Sequence, residues 1–374
     1  MMRRVIMLAV VFLCMTWAGC KGRGDGPISP ETGLPGVLSI SAMPRLNPFP
    51  TTPEEYVDLA VAAFELAYDA GARGQMSTFT WAALEPDQGG YDSTKFGELN
   101  GAILNAANHG MVSLLGIQLI NTTARELPAD LGAAAFDDPI VMARFHALLD
   151  QILTPENCER ISYLSIGNEV DAYLRAHPTE WDHYKAFYND AVQYVHGIDP
   201  DIKVGVTGTF DGAVLQSPSE LLSLNDMSDV IILTYYPLEA DGEGMITARD
   251  PDDVSDDFTQ MLSVAGEKKL ILQEVGYPAS ETNLSSEAMQ AEFVHHVFSA
   301  WKTAGARIPF LNFFLLHDFT QSMCDGFGGY YGLPGNTSFK TFLCSLGLRK
   351  DDGTARLAWG TLLDEAAEMG LPGK

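Results

Sequence analysis

Basic residues are scarce. Lys and Arg number 23 against 49 Asp and Glu in 374 residues, a formal charge of −26. That balance argues against binding nucleic acid through its phosphates, which needs clustered cations. There are five cysteines, none in a CxxC or His/Cys spacing, so nothing suggests zinc. No Gly-rich phosphate loop follows the first apolar run. Leu38-Ser39-Ile40-Ser41 leads into Ala42-Met43-Pro44-Arg45, which weakens a nucleotide-binding, doubly wound sheet. Paired His-x-His near the first strand, the mark of a metal-dependent barrel hydrolase, is also missing. No stretch beyond the N-terminus is long and apolar enough to span a bilayer. What is plentiful is apolar side chain. At 46% hydrophobic the chain is not disordered. Roughly 350 residues bury a core without staples.

The first twenty residues stand apart. Arg3 and Arg4 precede an apolar run from Val5 to Met15, then small residues and Cys20. This reads as an export signal. Trp17-Ala18-Gly19-Cys20 resembles a bacterial lipobox, with Trp17 where Leu is usual. The expectation is a signal over residues 1–19 and a lipid on Cys20. A plain cleaved signal and a retained anchor are the alternatives. Residues 20–35, rich in Gly and Pro, read as a flexible tether, and 36–374 as one domain. The signal carries two arginines and no acid, so the remaining chain has 21 basic and 49 acidic residues, a charge of −28. Cys158, Cys324 and Cys344 then remain. Cys324 with Cys344 is the preferred disulfide, and three free thiols the alternative.

From residue 36 onward, short apolar runs alternate with helical stretches. The strand candidates are Val37–Ser41, Gly74–Phe79, Met111–Ile117, Ile161–Ile166, Ile202–Thr207, Val230–Thr234, Lys269–Gln273 and Ile308–Leu315. Such continuous runs fit strands buried on both faces of a parallel sheet. Thr52-Pro53-Glu54-Glu55 offers a helix N-cap, a Pro at N1 and a Glu at N3. Met289, Phe293, Val297 and Trp301 recur every four residues after Ser285-Ser286, a helical core stripe. Eight alternations without a break in composition predict a single (β/α)8 TIM barrel of class α/β.

Chemistry in such barrels sits where the strands end. Gly167-Asn168-Glu169 follows the fourth strand, and Glu274-Val275-Gly276-Tyr277-Pro278 the seventh. An acid at a buried strand end is costly unless paired or used. Two carboxyls at one barrel mouth suit glycoside hydrolysis, in which one protonates the departing oxygen and the other attacks the anomeric carbon or activates water.

These residues carry a resemblance. The chain is similar to the clan A retaining glycoside hydrolases, (β/α)8 enzymes with catalytic glutamates after strands four and seven. Ile166-Gly167-Asn168-Glu169 matches the strand-four motif, implying Glu169 as acid/base and Asn168 as partner of the substrate 2-hydroxyl. Leu272-Gln273-Glu274-Val275-Gly276-Tyr277-Pro278 matches the strand-seven motif, implying Glu274 as nucleophile. Leu233-Thr234-Tyr235-Tyr236-Pro237 resembles the strand-six end of endo-β-1,4-galactanase and β-1,3-glucanase families, whose tyrosine contacts the nucleophile; Tyr236 is the better match. Trp81-Ala82-Ala83-Leu84-Glu85-Pro86 with Gly89-Gly90-Tyr91-Asp92 resembles the turn after strand two, and Gly347-Leu348-Arg349 through Trp359 the closing segment. Two departures stand out. The strand-two arginine is absent, with Arg73 too early and Gln75 or Met76 in its place. Strand eight ends in Leu316-His317-Asp318-Phe319 without the usual tryptophan.

Other residues are weighed on position. His317 after strand eight either contacts sugar, orients Glu274 or makes a structural hydrogen bond. Asp318 is expected to face away from it. Trp81 stacks on a sugar or packs the rim. Asn121 and Gln118 lie at the site face, Thr209 and Asp211 follow strand five, and Arg45 follows strand one. The acidic run from Asp250 to Asp257 reads as a solvated helix start, with calcium as the lesser alternative. His295-His296 reads as scaffold. The implied reaction needs no metal or cofactor. The expected partner is carbohydrate, the only membrane contact the N-terminal lipid, and the location outside the cytoplasm. Endo action is preferred over exo. The competing function is a non-catalytic carbohydrate-binding lipoprotein on the same barrel.

Overall fold

The computed structural model describes residues 34–373. The expected signal over 1–19, the expected lipidation site Cys20 and nearly all of the expected tether lie outside them. Within them, eight parallel strands form the barrel. They are β1 (Val37–Ile40), β2 (Gly74–Thr80), β3 (Val112–Asn121), β4 (Tyr163–Asn168), β5 in two pieces (Lys203–Gly205 and Thr207–Thr209), β6 (Val230–Tyr235), β7 (Lys269–Val275) and β8 (Phe310–Phe313). Each pairs with its sequence neighbours, and β1 pairs with β8 in the register Val37 to Phe310. The first piece of β5 pairs with β4 and the second with β6, so the sheet closes through the one broken strand. All eight predicted strands are present within a few residues of their predicted ends.

Eight helices wrap the outside: α1 (Pro53–Asp69), α2 (Ser93–Asn108), α3 (Pro139–Ile152), α4 (Trp181–Ile198), α5 (Pro218–Leu224), α6 (Val254–Ala265), α7 (Glu287–Ala304) and α8 (Leu357–Glu368). Local sequence sets their starts. Thr52 Oγ1 accepts the Glu55 N–H at 3.2 Å, capping α1, while Glu55 reaches back to the Thr51 N–H at 2.6 Å, one residue beyond the expected box. Ser286 caps α7 the same way, and Phe293, Val297 and Trp301 are buried along it. Among the described residues no helix is long and apolar enough to cross a membrane.

The interior is layered. Val37, Val112, Leu114, Val230, Ile232, Ile271 and Phe310 plug the barrel. Outward-facing strand residues such as Leu38, Leu164, Leu233 and Leu272 pack against the helices in the main core. The alternation of the strands sorts the two sets, as a two-residue period requires. A third cluster lies under the excursion between β8 and α8. Met43, Leu315, Phe319, Phe342 and Leu346 form it, with the disulfide Cys324–Cys344, whose Cα atoms are 6.0 Å apart. Cys158 is free and half-buried.

Candidate active site

Above the apolar plug the barrel fills with hydroxyls and amides. Ser39 Oγ donates to Asn312 Oδ1 at 2.8 Å, and Asn312 Nδ2 to the Gln273 carbonyl at 2.9 Å. Thr207 Oγ1 donates to Gln273 Oε1 at 2.8 Å and lies 2.6 Å from Ser165 Oγ. Gln273 Nε2 donates to Asn168 Oδ1 at 2.8 Å, and Asn168 Nδ2 to Asn121 Oδ1 at 3.1 Å. Buried amides cost several kcal/mol when unpaired, so this chain fixes their orientation. It leaves Asn168 and Asn121 locked side by side on β4 and β3.

A bulge delivers the second glutamate. Leu272 pairs with Leu233 and Glu274 with Thr234, so β7 carries one extra residue, Gln273. In a regular strand Gln273 and Glu274 would face opposite sides. The bulge lets both point into the barrel. Glu274 accepts from the Tyr236 hydroxyl at 2.6 Å and has the Gln273 amide beside it. Tyr236 follows β6, its ring perpendicular to Phe314 and Phe342.

The first glutamate is turned in by backbone geometry. Gly167 has φ 91°, and a Cβ there would lie 2.3 Å from the Tyr184 hydroxyl, so only glycine fits. Glu169 itself is left-handed, at φ 48° and ψ 42°. Its Oε1 accepts from Thr234 Oγ1 and its Oε2 from Thr122 Oγ1, both at 2.7 Å. Thr234 is thus the link, the strand partner of Glu274 and the hydrogen-bond partner of Glu169.

The two carboxyls differ in surroundings. Burial, and then the Glu169 charge, push Glu274 up to about 7 against the pull of Tyr236 and Gln273. Burial raises Glu169 too, the two threonines lower it, and Asp171 and Asp211 raise it again. Asp171 is fully buried, accepting from the Thr209 N–H at 2.8 Å and the Thr209 hydroxyl at 2.7 Å. A charge on Glu169 opposes one on Glu274. The extra acids lie on the Glu169 side and the tyrosine donor on the Glu274 side. The acids favour the proton on Glu169 against the pull of its two threonines, and the tyrosine favours the ionised form of Glu274.

Solved structures resemble the chain in shape. A GH5_18 protein from Bifidobacterium longum subsp. longum ATCC 55813 superposes with a TM-score of 0.68 at 18% identity, over 91% of this chain and 81% of that one. A GH5_18 protein from Streptomyces cattleya, solved with GlcNAc, gives 0.67 at 14% identity over 90% and 82%. An exo-beta-1,4-mannosidase from Opitutaceae bacterium strain TAV5 gives 0.67 at 15% over 89% and 60%. The fold is that of the glycoside hydrolase barrels. No protein-family model matches the sequence, and no curated protein matches it.

Two residues take the structural alternative. Trp81 has no exposed surface, so it cannot stack on sugar. Its indole donates to Glu85 Oε2 at 2.8 Å, and Glu85 in turn holds the Gly89 N–H and Arg144. The Trp-to-Pro86 motif is therefore a fastening of the turn after β2. His317 is buried and its Nδ1 lies 2.7 Å from the Met43 carbonyl, which ties β8 to the segment after β1. Burial pulls its pKa down, and its Nδ1 meets backbone rather than Glu274. Asp318 is held by Arg356 at 2.8 Å and the Gly347 N–H at 2.8 Å, anchoring the closing segment. Burial nevertheless pushes it up to about 6. Arg73 serves the opposite end of the barrel, donating to the Tyr68 and Ala72 carbonyls. Asp253 and Asp257 of the acidic run pair with Arg249 at the start of α6.

Several site residues escaped the sequence reading: Thr122, Thr234, Gln273, Asp171, Phe314 and Tyr331. Tyr331, at the end of the helix Gln321–Tyr330, faces Thr122, Glu169 and Glu274. The neighbouring Tyr330 donates to Glu126 Oε1 at 2.7 Å, joining the excursion after β8 to the one after β3. Gln273 could have been found from its adjacency to Glu274. The threonines carry no signal a spacing rule detects.

Proposed function

We propose that the protein is a retaining glycoside hydrolase acting on β-linked oligo- or polysaccharide. The observation that carries the reading is one buried carboxyl pair with opposite surroundings, Tyr236 donating to Glu274 and acids crowding Glu169. Glu274 attacks the anomeric carbon while Glu169 gives its proton to the leaving oxygen. The glycosyl–Glu274 ester forms as the glycosidic bond breaks. Glu169, now ionised, takes a proton from water, which releases the sugar with its configuration retained. That course needs the two carboxyls roughly 5–5.5 Å apart. Asn168, held by Gln273 and Asn121, is offered to the 2-hydroxyl.

Cleavage at chain ends is favoured over the endo action expected from sequence. The Tyr330–Glu126 bond ties the excursion after β8 to the one after β3. Support comes from the similar exo-mannosidase, and from GH5_18 structures holding Manb1-4GlcNAc. Manβ1-4GlcNAc is accordingly the first substrate to test, beside β-linked galactan, glucan, mannan and xylan. Hydrolysis that gives the β-anomer first, and that is lost in Glu274→Gln, supports the reading. Activity that survives Glu274→Gln sinks the mechanism. Tight glycan binding with no hydrolysis favours the non-catalytic alternative. Attachment to a membrane through lipid on Cys20 remains part of the proposal, tested by Cys20→Ser and membrane fractionation.

A further inference from the structure

The turn after β3 carries a residue poorly suited to it. Asn121 pairs with Ala124 across an antiparallel hairpin, leaving Thr122 and Thr123 as a two-residue loop. Thr122 has φ 52°. Two-residue hairpins place Gly, Asn or Asp at a first central position with positive φ. A β-branched residue there is a genuine outlier, because its Cβ substituents crowd the backbone. Such a conformation persists only where the surroundings over-determine it, and these positions gather at functional sites.

Two hydrogen bonds to the β4 end hold Thr122 there, and the Tyr331 hydroxyl also meets its side chain. The Thr122 N–H donates to the Asn168 carbonyl at 2.9 Å. Glycine or asparagine would make that bond equally well. Its hydroxyl donates to Glu169 Oε2 at 2.7 Å, and neither alternative supplies that. Glu169 is itself left-handed, so two strained residues meet in one hydrogen bond. The opposite oxygen is served by Thr234 from a regular strand, where a threonine costs the backbone nothing.

We propose that Thr122 is a positioning residue for Glu169, holding Oε2 in place and favouring the ionised carboxyl. This rests on the reading of Glu169 as acid/base. The other groups facing Glu169 are Asp171 on its own side of the turn, Asp211 after β5, Glu274 on β7, Tyr236 after β6 and Tyr331 from the excursion after β8. The acids all oppose ionisation of Glu169. The Thr122 and Thr234 hydroxyls favour it.

The test separates this role from a structural one by sign. Thr122→Gly removes the hydroxyl and relieves the strained φ. The variant should be at least as heat-stable as the parent. The Glu169 carboxyl, followed by 13C NMR in a Glu274→Gln background where it titrates without its partner, should move up by about one pH unit. With Glu274 present, the basic limb of the pH profile of the most active β-glycoside should move the same way. There kcat should fall about tenfold with KM little changed. Thr122→Ser keeps the hydroxyl and should restore both values. A Thr122→Gly variant that loses stability, or whose Glu169 titrates unchanged, overturns the proposal. So does a serine variant that behaves like the glycine one. If the wild-type protein cleaves no β-glycoside, the glycosidase reading fails on its own, and the NMR titration still decides the role of Thr122.

Discussion

Tyr236→Phe removes one oxygen and leaves the ring packing intact. In the wild-type protein that hydroxyl donates to Glu274 Oε2 at 2.6 Å. A hydrogen bond to a charged group in a buried site contributes about 1.5–3 kcal/mol, all of it to the ionised form. One pKa unit is about 1.4 kcal/mol, so its loss should raise the Glu274 midpoint by about one to two units. Glu274 already stands at about 7 because of burial and Glu169. As the proposed nucleophile it works only when ionised, so the acidic limb of kcat/KM should move to higher pH. At pH 6 the variant should be roughly 10–100-fold slower, and the deficit should shrink as the pH rises past the new midpoint. The assay is kcat/KM against pH for both proteins, on the most active β-glycoside. A uniform loss at every pH, with the acidic limb unmoved, would refute the idea that Tyr236 acts by keeping Glu274 ionised.

Three other predictions concern stability. Glu274 has its folded pKa above the ordinary 4.5, so the folded state holds its proton longer than the unfolded chain does. The stability it supports is present below 4.5 and is lost as pH rises toward about 7. Glu274→Gln should therefore be more stable than wild type above neutrality, by about 1–3 kcal/mol, with the gap closing in acid; an equal gap at pH 4 and pH 8 in urea unfolding would contradict this. Trp81→Phe should cost about 1–3 kcal/mol, because Glu85 loses a buried donor, while KM stays put. A large rise in KM would return Trp81 to the sugar site. Replacing Cys324 and Cys344 together by Ser opens a loop of sequence separation 20 and should cost about 3 kcal/mol in denaturant unfolding.

The barrel was legible because its signals are local and repeated. A strand buried on both faces must be apolar throughout, so runs such as Leu270-Ile271-Leu272 declare themselves. Helix starts are equally local, and Thr52 and Ser286 cap where they are read. What the sequence concealed is the direction of side chains near strand ends. The bulge at Gln273 reverses the alternation, so no period-two count puts Gln273 and Glu274 on one face. The same limit undid Trp81. A tryptophan after a barrel strand reads as a sugar platform or a rim residue, and only the Glu85–Arg144 pair behind it decides which.

The carboxyls were found because acids at the ends of apolar strands are rare and costly. Their surroundings were not legible, because they are set by neutral groups that contacts across the barrel bring together. Thr234 is an ordinary strand residue by propensity and Thr122 an unfavourable turn residue, yet both spend their hydroxyls on Glu169. Tyr236 alone of these donors announced itself, through the proline beside it. An isolated buried carboxyl would simply stay protonated. Here burial pushes both glutamates up, hydroxyl donors pull both down, and Asp171 and Asp211 raise Glu169 again. The proposed division of labour between Glu169 and Glu274 therefore lies less in the glutamates than in the groups around them, two hydroxyls and two acids near Glu169 and one hydroxyl at Glu274. Asp171 and Asp211 then tip the remaining balance, because they repel a charge on Glu169.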